Sequence, residues 1–317
     1  MSAENKDHYV APVTKTAVKT DAVVVSGKPA SLWRDGWYDL RRRPMFWISL
    51  AIIAVILLMA VWPTLFTQTA PNDGCYLENS NGAPAPGHPL GFTFQGCDIF
   101  SRIVWGARTS VSVGLISTLI SSGLGLIMGA FAGYYGGWVD AVLSRIGDIF
   151  FSIPYVLAAV VVMTVYSDFR NVLTLSIAIG GFAWASTARV VRAEILRVRQ
   201  ADFVTASSAL GLSRFRTLLA HVIPNALAPL LVLATLALAG AIVAEATLTF
   251  LGVGLGGGAA GDVMSWGRDI SDAQRTLRIA PMSLIYPSIA LTVTVLAFIM
   301  LGELIRDALD PKARAQR

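Results

Sequence analysis

The chain has 317 residues, of which 55% are apolar and only 14% charged, and its mean hydropathy is +0.62. Soluble domains carry about 25% charged residues, so these values exclude a soluble enzyme and indicate a chain largely embedded in lipid. The net charge of +5 comes with no interleaved basic and aromatic surface, which points away from nucleic acid and toward membrane topology and anionic lipid heads.

Residues 1–28 are polar, hold no apolar stretch long enough to bury, and are expected to be a disordered tail. Trp33, Trp37 and Tyr38 then form either a short amphipathic segment at the interface or an ordinary aromatic belt. Arg41, Arg42, Arg43 and Pro44 directly precede a first apolar run that is longer than a signal-peptide core, so it reads as a retained anchor.

Further apolar blocks follow, each about 18–25 residues long, the length a helix needs to cross hydrocarbon. Loops and open strands are not options there, because an unpaired backbone group in lipid costs several kcal/mol. Six spans are predicted, at 45–66, 109–132, 149–167, 171–188, 226–251 and 283–304. The intervening organisation is a tail at 1–44, a loop at 67–108, a five-helix core at 109–304 containing the loop 189–225, and a tail at 305–317. Nineteen Lys and Arg fall on the side of the two termini and six on the other, so both termini are expected in the cytoplasm.

The loop 67–108 is rich in Pro, Gly and Asn and holds both cysteines, Cys75 and Cys97. On an oxidising exterior they have one possible pairing; the plain alternative is two separate thiols, and a disulfide is the expectation. In the second span, Gly125, Gly129 and Gly133 line one face and permit close helix approach. Asp140, Arg145 and Asp148 lie in a turn, where a solvated Arg145–Asp148 pair is the default. Pro63 and Pro154 are expected to kink the first and third spans.

Between the fourth and fifth spans the segment 201–211 has small, helix-compatible residues and ends at Gly211, which suits a left-handed helix end; Ser213 suits the N-cap of the next helix. Two short helices meeting at a glycine are expected. Phe203, Ala206 and Leu210 recur at i, i+3 and i+7, making an apolar ridge suited to a groove on another protein.

Glu245 is the one carboxylate well inside the fifth span, where an unpaired charge costs about 2.5 kcal/mol or more, so it must face protein or water. It is either a gate or a structural partner of a neighbouring helix, and the second reading is the expected one. The three histidines, His8, His88 and His221, are scattered and give no metal-ligand spacing. No G-x-x-x-x-G-K-[ST] run occurs, so neither a metal nor a nucleotide cofactor is expected in this chain; the glycine run at 255–262 reads as a flexible loop.

The segment 202–225 resembles the coupling loop of ATP-binding-cassette importer permeases, with the pattern E-A-A, three residues, G, nine residues, I-x-L-P. Ala206, Gly211 and Pro224 match it, whereas Thr205, Ser207 and His221 stand where Glu, Ala and Ile are usual. Three further stretches are similar to the dipeptide, oligopeptide and nickel subgroup: 91–115, with Cys97 at a usual Arg position, E-A-T-L-T-F-L-G-V-G at 245–254, and L-G-E-L-I-R-D-A-L-D-P-K at 301–312. Together they cover roughly residues 36–312 and resemble the second, C-type permease of peptide importers.

That resemblance implies an all-α integral membrane protein of the type I importer permease fold with six transmembrane helices. It implies a sister B-type permease, two ATP-binding subunits, or one fused, that hold ATP and Mg, an extracellular binding lipoprotein and a bacterial plasma membrane, with a dipeptide or oligopeptide as cargo. The chain itself is then not an enzyme. Its ATPase-coupling residues would be Asp202, Phe203, Thr205, Ala206, Ser207, Ala209, Leu210, Gly211, Ser213 and Arg214. The alternatives are the same architecture carrying nickel or another solute, a passive channel or sensor, and a lipid-modifying membrane enzyme, for which the spans offer almost no convergent polar groups.

Overall fold

A computed structural model describes residues 32–255 and 263–309. The expected tail at 1–28, residues 256–262 of the glycine run and the end at 310–317 lie outside the described residues. Those described are helical throughout, apart from turns and a loop-rich segment at 63–98.

A short helix α1 (Leu32–Leu40) leads into α2 (Pro44–Val61), which has Pro44 in its first turn, where a missing N–H costs nothing. Pro63 ends α2 instead of kinking it: Trp62 is forced out of the helical region, at φ −126° and ψ 68°. Next comes α3 (Ile99–Tyr135), which starts ten residues before the expected 109. The early start has a local cause, since the Asp98 carboxylate accepts from the N–H groups of Phe100 and Ser101 at 3.2 and 3.3 Å.

The expected third span at 149–167 is built differently. A helix α4 (Gly137–Ser152) and a helix α5 (Tyr155–Val165) meet at Pro154 with a bend of 79°. The eleven residues of α5 rise only about 16 Å and cannot cross about 30 Å of hydrocarbon. Taken together as one broken span, this pair is the sixth candidate, and the expected turn 133–148 shrinks to Gly136 and Gly137, both at positive φ. Five helices are long and apolar enough to cross by themselves, and the bent pair makes up to six.

The fourth span, α6 (Val172–Arg199), is capped by Asn171 and runs eleven residues beyond the expected 188. Two short helices follow, α7 (Asp202–Ala209) and α8 (Arg214–Thr217). A π turn at Leu218–Val222 then leads directly into α9 (Ile223–Phe250), so Arg214–Phe250 forms one 37-residue helical run. A short helix α10 (Trp266–Ala273) precedes α11 (Met282–Leu309).

The glycine stripe sits at the crossing of α3 and α6. A Cβ on Gly129 would lie 2.5 Å from the Ala188 carbonyl oxygen, and one on Gly133 2.8 Å from that of Arg192. Gly180 of α6 returns the fit, 2.5 Å from the Ser117 carbonyl oxygen. Lipid offers helices no hydrophobic drive to associate, so such backbone-to-backbone approach supplies the dispersion contact that holds them. A second core joins α2, α3, α9 and α11 through residues including Ile53, Val111, Ile242 and Phe298. Both ends of the described chain meet, with Leu40 and Phe46 against Ala308 and Arg43 paired with Asp307 at 3.1 Å.

At the opposite end the segment 63–98 is closed by a Cys75–Cys97 disulfide. Beneath it Arg102, 4% exposed, grips Asp269 of α10 at 2.6–2.7 Å. Burial pushes the Asp269 carboxyl above its ordinary range, and the Arg102 guanidinium opposes that shift. Breaking a buried pair strands a charge at a cost of about 3–5 kcal/mol, so this contact fixes α10 on the start of α3.

Candidate functional site

The α7–α8 element is built on the end of α6. Its inner face is apolar: Val204 and Leu218 are buried with Val198, Tyr134 and Val222, which seats both short helices on α3, α6 and α9. The turn between them is set by Gly211. Leu212 N–H donates to the Ser207 carbonyl at 3.2 Å and Gly211 N–H to that of Ser208 at 3.1 Å, the paired bonds of a Schellman end, with Gly211 at φ +80°. Ser213 Oγ then accepts from Arg216 N–H at 3.4 Å and caps α8.

Among the described residues the outer face is left uncovered. Phe203 is 43% and Leu210 80% exposed, and Asp202, Thr205, Ala206, Ala209, Gly211, Ser213 and Arg214 are exposed beside them. Ser207 differs from expectation: it is buried, and its hydroxyl donates to the Phe203 carbonyl at 2.7 Å. The i, i+3, i+7 ridge leaves it on the inner face, so it supports α7 from within. Phe215 and Leu219, both about half exposed, extend the apolar surface onto α8 and the π turn. Their i, i+4 spacing was the available signal, obscured because the segment passes from α to π geometry.

Glu245 lies fully buried at the other end of α9. Ser110 Oγ donates to one carboxylate oxygen at 2.9 Å and Thr249 Oγ1 to the other at 3.0 Å, with the Ser265 hydroxyl also bonded to it. Ser110 in turn accepts from Trp266 N–H at 3.3 Å. The carboxylate thus ties α9 to α3 and to the start of α10, and it lies inside the bundle. Among the described residues no group of three or more His, Cys, Asp and Glu is placed to hold a metal.

What the arrangement can do is mechanical. A rigidly seated two-helix knuckle with an uncovered apolar outer face sits at one end of a bundle of spanning helices, and a broken span lies alongside. Comparison with known proteins bears on that geometry. Residues 125–315 match the family described as the inner membrane component of binding-protein-dependent transport systems. Residues 31–84 match the N-terminal transmembrane domain of oligopeptide transport permease C. The oligopeptide transport system permease protein OppC of Bacillus subtilis is 34% identical over 294 residues, 93% of this chain and 94% of that protein. The dipeptide transport system permease protein DppC of Alkalihalophilus pseudofirmus is 34% identical over 289 residues, 90% and 91% of the two chains. The glutathione transport system permease protein GsiD of Pectobacterium atrosepticum is 32% identical over 303 residues, 95% and 98%. Helical bundle, exposed knuckle and matches over nearly the whole length agree: the chain belongs to the family of inner membrane components of binding-protein-dependent transport systems, as a multi-pass permease.

Proposed function

We propose that this chain is the C-type permease of an ATP-driven importer of short peptides. It lines the path together with a sister permease, receives cargo from an extracellular binding protein, and is driven by two ATP-hydrolysing subunits, one of them docked on α7 and α8. The carrying observation is the exposed ridge of Phe203, Ala206 and Leu210 on a knuckle whose inner face is locked into the bundle. The names of the relatives, which are oligopeptide, dipeptide and glutathione permeases, support the peptide cargo.

Coupling follows from differential contact. ATP can bias the permease only if the ATPase subunits grip the knuckle differently in their open and closed states. With Thr205 where a Glu is usual, docking rests on shape and apolar contact and depends weakly on salt. Replacing both Phe203 and Leu210 by Asp puts two charges into the contact and is expected to weaken ATPase binding by about 100-fold. Co-purification of the ATPase subunits with the tagged permease measures this. Retention at the wild-type level would remove α7 from the interface.

The positive-inside bias supports a cytoplasmic position for both termini and α7–α8, with 63–98 and α10 outside. A cysteine placed at Ser80 is expected to react with an impermeant thiol reagent in intact cells, and one at Ser213 to remain unlabelled. The reverse pattern would invert the topology and the proposed direction of transport.

A further inference from the structure

Helix α4 leaves most of its surface uncovered. Gly147 is its one buried residue; Ile146 and Phe150 pack against Trp184, Ala185 and Ala188 of α6, and beside that contact lies a cavity of about 440 Å³ walled by Gly129, Ala132, Gly147, Ala185 and Ala188. It has a joint at each end: Gly136 and Gly137 at φ +67° and +56° on one side, and the 79° break at Pro154 on the other. Only glycine takes such backbone angles readily, so the first joint is built for an unusual chain path.

Two ion pairs fix its orientation, both made to α6. Arg192 donates to the two oxygens of Asp140 at 2.5 and 2.6 Å, a bidentate clamp, and Arg189 reaches Asp148 at 2.8 Å. The expected Arg145–Asp148 contact is the weaker one, at 4.0 Å and highly exposed. Arg192 stands seven residues before the end of α6 at Arg199, and α7 starts at Asp202. Around Arg192 the α6 backbone is jammed against Gly129 and Gly133 of α3. Hence α3, α6 and the knuckle form one body, and α4 is attached to it by the apolar contact of Ile146 and Phe150 in its second half and by the two ion pairs.

We infer that the Asp140–Arg192 clamp is the strut through which movement of the α7–α8 knuckle reaches the broken third span, so that these two residues position α4 during transport. The inference rests on the coupling role proposed above for α7–α8 and names the next link in it. Both side chains are partly exposed, at 22% and 37%, so the pair can part and re-form without stranding a desolvated charge. Two guanidinium bonds fix distance and angle together, which a single contact would not.

The test uses the complete transporter in proteoliposomes, with a tritiated tripeptide that the wild-type complex takes up. Asp140→Arg and Arg192→Asp are each expected to lower uptake about tenfold while ATP hydrolysis stays within about twofold, so that more ATP is spent per peptide. The double exchange, Asp140→Arg with Arg192→Asp, is expected to return uptake to within about threefold of wild type. A lesion of folding alone would lower uptake and hydrolysis together. If a charge reversal prevents assembly, Asp140→Asn keeps the shape, and a raised ATP-to-peptide ratio is expected from it. Wild-type uptake by the single variants, or a double exchange no better than either single, overturns the strut. Gly211→Val in the same liposomes separates the outcomes: if it transports normally the coupling reading itself fails, whatever the clamp does.

Discussion

Gly211→Val is expected to reduce substrate uptake about tenfold or more while the protein still inserts and assembles with its partners. The reason is confined to the backbone. A Cβ at Gly211 would meet nothing within 4 Å, but its φ of +80° is one that L side chains rarely adopt. Holding a β-branched residue there costs about 1–3 kcal/mol, from roughly fivefold to about a hundredfold in the population of the intact turn. The turn sets the angle between α7 and α8, so its loss misaligns the ridge without disturbing the spanning helices. Asparagine tolerates the left-handed region, and Gly211→Asn is expected to keep most of the uptake. Peptide uptake and ATP hydrolysis measured side by side decide the matter. Equal transport by the valine and asparagine variants would mean that the turn geometry is immaterial to coupling.

Gly129→Leu is expected to be the most damaging substitution to the bundle itself. The first added carbon would sit 2.5 Å from the Ala188 carbonyl oxygen, 2.9 Å from Val191 Cβ and 3.0 Å from the Arg192 nitrogen. Two of these are backbone atoms of a long helix and cannot swing aside, so α3 and α6 must separate. Overpacking of a tight interior costs about 1–3 kcal/mol, and parting two helices along a three-glycine stripe places this case at or above the upper end. Gly123, on the same helix, has open space around it, and Gly123→Leu is the matched control. In detergent, the fraction that stays monodisperse after heating should fall for the variant at 129 and not for the one at 123. Indistinguishable melting of the two would sink the close-crossing account.

Number and rough placement of the spans were legible because hydropathy reports what lipid demands of a helix. The ends were not. α3 starts at Ile99 because Asp98 caps it and Arg102 finds Asp269, and the second fact depends on a residue 167 positions away. α4 was read as a turn because its charges look solvated in isolation, whereas Arg189 and Arg192 of α6 receive Asp148 and Asp140. The knuckle was the most readable part of the candidate site. Gly211 and Ser213 act through their own backbone neighbours, so local chemistry sufficed to place them. Which side of α7 faces inward was readable for Phe203 and Leu210 and missed for Ser207, a small residue whose inward position depends on packing against the bundle.

On the coupling role proposed for α7–α8, the continuity of α8, the π turn and α9 sets a scale for the stroke. Thirty-seven residues from Arg214 to Phe250 make a rod of about 55 Å at 1.5 Å per residue. Turned by about 5° about the knuckle, such a rod sweeps its far end through roughly 5 Å, close to one helical pitch. Glu245 rides near that far end, bonded to Ser110 of α3, so the sweep is shared with a second helix rather than absorbed by a loose tip. The π turn, with one residue more per hydrogen-bonded ring than its surroundings, joins the knuckle to the rod without interrupting it. On that role, a tilt of only about 5° at the knuckle would move the opposite end of α9 far enough to admit or exclude a side chain.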